Sequence, residues 1–182
     1  MISGLKFAFF FLASTPLLAF DLTALMQTLA QPKSGQVRFA ELKKIQLLDA
    51  PIEARGWLSI EQGVLVKEIE SPIKERLEID QKEIRIIRAD KTQRLSLSER
   101  PEAEAMVAGL RAVLTGEQAL LIRHYQVKLS GSASKWTLLL TPQSDAAKRV
   151  LRSIQFVGRD KVIEHINTTM SNGDQTHTSL LQ

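Results

Sequence analysis

Two hydrophobic periods alternate along this chain. Leu22, Leu25, Met26 and Leu29 fall at i, i+3, i+4 and i+7, one apolar stripe, which predicts a helix over residues 21–31. Asp21 is placed to cap its start, and Pro32-Lys-Ser-Gly35 to stop it. The period then drops to two. Over 54–60, Ala54, Gly56, Leu58 and Ile60 share one face, and Arg55, Trp57 and Ser59 the other. Over 73–80, Ile73, Leu77 and Ile79 oppose Lys74, Arg76, Glu78 and Asp80. Runs at 83–88 and 93–98 also alternate, and Gly56, Gly63 and Ser71-Pro72 punctuate the series. Short strands at this spacing predict an antiparallel sheet rather than βαβ units.

Pro101 opens a second helical stretch, in the first-turn position that proline tolerates. Met106, Val107, Leu110, Val113 and Leu114 give it an apolar face, and Thr115-Gly116 ends it. A short helix is expected over 117–124. Strands resume at 125–129 and 136–140, around a polar loop at 130–134, with a helical turn at 145–149. Strands at 153–157 and 162–170 follow, and Asn172-Gly173 joins the latter to 175–180 as a hairpin. The predicted order is a helix, about five strands, one or two helices, and about four strands. A sheet of that length curls, and the amphipathic helices are available to cover its concave face. The fold class is therefore mainly β with α, a curled antiparallel sheet that can enclose an apolar cavity.

The N-terminus changes where this fold is expected to work. One Lys, the apolar run 7–13, Ser14-Thr15-Pro16 and Leu17-Leu-Ala19 read as a signal peptide cut after Ala19. The run is shorter than the roughly 20 apolar residues of a membrane span. Residues 20–182 then form one exported domain, large enough for a packed core. The chain has no Cys, so it can carry neither a lipoprotein's acylated cysteine nor a disulfide. The net charge is +4, but the signs alternate and the longest basic run is Lys43-Lys44. No nucleic-acid stripe is present.

Candidate chemistry is sparse. His124, His165 and His177 lack metal-ligand spacing and read as surface or edge residues. Ser71-Pro-Ile-Lys74 and Ser132-Ala-Ser-Lys135 match S-x-x-K, but neither Ser is expected at a helix start and the companion motifs are missing. No nucleophile elbow, phosphate loop or dinucleotide fingerprint occurs. No catalytic residue, metal or cofactor is assigned.

Several strings, in order, resemble the LolA-type lipoprotein carriers of the bacterial periplasm. They are Asp21-Leu-Thr-Ala-Leu-Met-Gln-Thr-Leu29, Val37-Arg-Phe39, Gly56-Trp-Leu-Ser-Ile60, Ser71-Pro72, Leu138-Leu-Leu-Thr-Pro142, and Val157-Gly-Arg-Asp160 through Asn172-Gly-Asp174. The resemblance implies an unclosed β-barrel with helices as a lid. It also implies a soluble, monomeric carrier of lipid or lipoprotein acyl chains between inner and outer membranes, with membrane transport proteins as partners. Leu25, Met26, Leu29, Phe39, Leu58, Ile60, Val66, Ile79, Ile86, Met106, Leu110 and Leu114 are the expected cavity lining. The family's Arg-Pro after the Gly-x-Leu strand is absent, since Glu61-Gln62-Gly63 stands there. Val66 and Glu68 occupy places where the family favours aromatics. The rival expectation is a non-enzymatic envelope interaction module with a filled core.

Overall fold

The computed structural model describes residues 20–30 and 35–181. The expected signal peptide, and Pro32 to Ser34 of the first helix stop, lie outside the described residues.

Helix α1 spans Leu22–Leu29, and the Asp21 carboxylate accepts the Ala24 N–H at 2.9 Å, as a capping residue should. Six strands follow: β1 Val37–Lys44, β2 Ile52–Glu61, β3 Val64–Ser71, β4 Glu75–Ile79, β5 Glu83–Arg88 and β6 Lys91–Ser96. Helix α2 spans Pro101–Thr115 and α3 Gln118–His124. Strands β7 Tyr125–Ser132 and β8 Lys135–Pro142, helix α4 Asp145–Lys148, and strands β9 Leu151–Arg159, β10 Val162–Met170 and β11 Gln175–Leu181 complete the order.

All eleven strands form one antiparallel sheet in the order β6-β5-β4-β3-β2-β1-β11-β10-β9-β8-β7. β6 and β7 are the two edges, so the curl does not close into a barrel, in agreement with the expected class. The chain crosses from one edge to the other through α2 and α3, which places these helices over the concave face. The six strands before α2 and the five after α3 are each one more than the approximate count expected. The expected polar loop at 130–134 is mostly strand. β7 runs to Ser132 and turns within two residues, with Gly131 at φ 96°. Ile73, expected on a strand, is an exposed turn residue.

Gly116 ends α2 in the left-handed region at φ 75°, where a Cβ would be strained. A Cβ there would also stand 2.5 Å from the Ala30 side chain, so α1 is seated directly against the end of α2. Gly109 makes a second close approach, its face lying on the Tyr125 ring. The Tyr125 hydroxyl, fully buried, donates to the Ala105 carbonyl at 2.6 Å and fixes α2 to the first residue of β7. Burial pushes the Tyr125 phenol above its ordinary range.

Candidate functional site: the concave face under the helices

Strand partners that stand opposite one another share a face, so the register sorts every strand residue. Phe39 pairs with Gly56 and Leu180, Val37 with Leu58, Leu58 with Lys67, and Lys67 with Leu77. Leu77 pairs with Ile86, and Ile84 with Leu95. On the other side Thr178 pairs with Ile166, Ile166 with Phe156, Phe156 with Leu138, and Leu138 with Leu129. These positions make up the concave face.

Its apolar side chains gather into two clusters under the helices. The first joins Leu25, Met26 and Leu29 of α1 and Ala112 and Val113 of α2 to Tyr125, Trp136, Leu138, Leu140, Ile154 and Phe156. The second joins Leu65, Ile79 and Ile84 to Leu97 and to Val107 of α2, with Leu58, Leu77, Ile86 and Leu95 half-buried around them. The two share no buried residue among the described ones, and Leu114 of α2 packs against both.

The expected lining residues divide accordingly. Leu25, Met26 and Leu29 are buried in the first cluster, and Met106 and Leu110 pack against it half-buried. Ile79 is buried in the second, with Leu58 and Ile86 beside it. Phe39 is fully buried on β1. Ile60 has the concave parity but ends β2 at 37% exposure, at the rim. Val66 stands on the opposite face. It pairs with Ser59 and Glu78, both convex, while its neighbour Leu65 pairs with Ile60 and Ile79. Parity therefore puts Leu65, not Val66, on the concave side. The two-residue Gln62-Gly63 turn sets Glu61 opposite Val64, so the concave positions change from even to odd across it, and pairing residues outward from that turn would have found Leu65.

Sequence reasoning also missed a polar group on this face. The Lys67 ammonium lies 2.6 Å from Glu41, whose same oxygen accepts the Thr178 hydroxyl at 2.8 Å. The side chains of Lys67 and Glu41 are only 21% and 14% exposed. The ammonium also sits 4.8 Å from the centre of the Phe39 ring. Beside the β5–β6 turn, Arg88 pairs with Glu75.

The convex face is polar. Arg76 bridges Glu61, Glu68 and Glu78, and Arg85 continues the ladder from Glu78 to Glu83. The Ser59 hydroxyl and then Arg76 hold Glu61 below the ordinary glutamate range. His165 and His177, twelve residues apart in sequence, meet here across the β10–β11 hairpin with stacked rings, 5.1 Å between centroids. Each hydrogen-bonds Ser179. Among the described residues no group of three metal-ligating side chains forms. Ser71 and Ser132 close strands and stand at no helix start.

Two surface hollows, of about 410 and 630 Å³, lie on polar stretches. One is lined by Lys44, Asn167, Gln175 and His177, the other by Glu68, Lys74, Glu75 and Arg76. The expected apolar lining borders neither. No helix among the described residues is long and apolar enough to cross a membrane.

The sequence matches the family model described as outer membrane lipoprotein carrier protein LolA-like over residues 13–182. No curated protein matches. Among solved structures, a LolA superfamily protein from Nitrosomonas europaea is 11% identical, covers 90% of this chain and 93% of its own, and has a TM-score of 0.46. LprF from Mycobacterium bovis is 7% identical over 87% of this chain and 90% of its own, with a TM-score of 0.35. The Mycobacterium tuberculosis lipoprotein LppX is 12% identical over 87% and 92%, with a TM-score of 0.39.

Proposed function

Because the chain belongs to the outer membrane lipoprotein carrier protein LolA-like family, we propose that it is an exported periplasmic carrier. It takes up a lipid, or the acyl chains of a lipoprotein, on the concave face and ferries them between the inner and outer membranes as a monomer. Cleavage after Ala19 frees it to diffuse, and transport proteins in the two membranes load and unload it. It needs no cofactor and performs no covalent chemistry.

The observation that carries this reading is the divided core. An acyl chain gains about 0.8 kcal/mol per buried CH₂, so it crosses water only when a protein hides it. A carrier must therefore open an apolar interior without unfolding. α2 rests on two apolar clusters that share no buried residue, with Leu114 between them. It can leave the β3–β6 cluster while its contacts with α1, α3 and Tyr125 hold. The half-buried Leu58, Leu77, Ile86 and Leu95 are the surface uncovered by that movement.

The test is mass spectrometry of protein taken from periplasm and kept native, together with displacement of a fluorescent fatty acid. Lipid co-purifying in repeated preparations, and displacement at micromolar concentration, are expected. Neither appearing would leave the rival reading, an envelope interaction module whose interior is filled by Trp136, Tyr125 and Phe156.

A further inference from the structure

On the carrier reading above, we propose that the cargo is an anionic amphiphile, with its tail along the apolar part of the concave face and its carboxylate or phosphate head on Lys67.

The concave positions change character in one direction along strand after strand. β4 runs Ile79, Leu77, Glu75; β5 runs Ile84, Ile86, Arg88; β6 runs Leu95, Gln93, Lys91. On the other side of β2, β1 runs Phe39, Glu41, Lys43 and β11 runs Leu180, Thr178, Thr176. β3 runs Leu65, Lys67, with Ile69 interrupting. Antiparallel neighbours read this order in opposite chain directions. The gradient therefore belongs to the assembled sheet and to no one segment. A surface that is apolar at one end and polar at the other matches a molecule built the same way.

Lys67 is the charge set deepest along that gradient. Its cross-strand neighbours are Leu58 and Leu77, both in the apolar cluster. An ion pair withdrawn from water is weak support for a fold, because desolvation offsets most of its attraction. An apolar residue at 67 would serve the core as well, so the cation is better explained by something it binds. The pair is also built to exchange partners. An ammonium has three donors and Glu41 takes one. The Glu41 oxygen already accepts the Thr178 hydroxyl, so it stays bonded when Lys67 turns to a ligand. The Phe39 ring steadies the ammonium meanwhile.

The experiment is displacement of a fluorescent fatty acid by hexadecanoate, hexadecyl phosphate, hexadecanol and hexadecyltrimethylammonium, with acetate and inorganic phosphate as headgroups alone. Both long-chain anions are expected to bind about tenfold tighter than the alcohol, the worth of one charge-assisted hydrogen bond. Acetate and inorganic phosphate should not compete. K67M should remove the anion preference and leave the alcohol's affinity unchanged, and K67Q should do the same should K67M unfold, as read by circular dichroism. Equal binding of anions and alcohol, tighter binding of the cation, competition by free phosphate alone, or a K67M loss shared by every ligand would each overturn the proposal with the carrier reading intact. Failure of every long-chain ligand to bind would overturn both.

Discussion

Gly109 shows how far a single residue's role depends on what lies across from it. In an exposed helix, Gly→Ala gains close to 1 kcal/mol through helix propensity. A Cβ at 109 would instead stand 2.7 Å from the buried Tyr125 ring. Gly109→Ala is therefore expected to lower the melting temperature, by overpacking of roughly 1–3 kcal/mol. A rise would mean that α2 does not lie on Tyr125 as described. Leu65 and Val66 make a paired test of face. Both are buried, at 6% and 2% exposure, but on opposite sides of the sheet. Each Ala variant should cost stability in a urea titration, about 2–4 kcal/mol for Leu65 and nearer 1–2 for Val66. Only Leu65→Ala should also weaken displacement of a bound fatty acid. The sequence shows that one of these neighbours faces inward. The turn between β2 and β3 decides which.

At the scale of elements, the α2–α3 junction and the β4–β5 turn are both held by carboxylates. Burial pushes Glu117 up, but the Thr115 hydroxyl and Arg111 outweigh it and hold the group below its ordinary value of 4.5. Burial likewise pushes Asp80 up, and the backbone N–H groups of Lys82 and Glu83 more than reverse it, below 3.8. Both folded values are lowered. The stability these groups supply is thus complete above the ordinary carboxylate range and is lost as pH falls through the lowered values. Chemical denaturation at stepped pH should show stability falling below about pH 4, and Glu117→Gln together with Asp80→Asn should flatten that fall. An unchanged slope would mean that other carboxylates govern it. The helices themselves were legible because their caps are local. Asp21, Pro101 and Gly116 sit where sequence placed them. The end of β7 at 130–132 was less legible, since a polar Ser-Gly-Ser run hides the alternation.

For the molecule as a whole, an unclosed sheet leaves two edge strands, β6 and β7, each paired on one side only among the described residues. Open edges invite pairing with other chains, and charged side chains discourage it. β6 carries Lys91 and Arg94, and β7 carries Lys128. Arg94 reaches Glu83 only at 3.7 Å with its side chain 67% exposed, a pairing worth little to stability. Replacing Lys91 and Arg94 by Val should leave the unfolding midpoint nearly unchanged and raise light scattering during storage. Clear solutions after long incubation would show that the helix crossing already shields that edge.

The amino-acid sequence by itself determined what is set within a few residues: the helix caps, the period-two strands, the Asn172-Gly173 turn, and a chain without cysteine that must stand on its packed core. It also carried the family resemblance, which the match over residues 13–182 bears out. Only the tertiary structure decided which residues face one another. Glu41, Lys67 and Thr178 are far apart along the chain and meet because β3, β2, β1 and β11 are neighbours in one sheet. His165 and His177 meet for the same kind of reason, across a hairpin. Periodicity reports which positions share a face. It does not report which of the two faces the helices will cover, because that depends on how the whole sheet curls and where α2 crosses it.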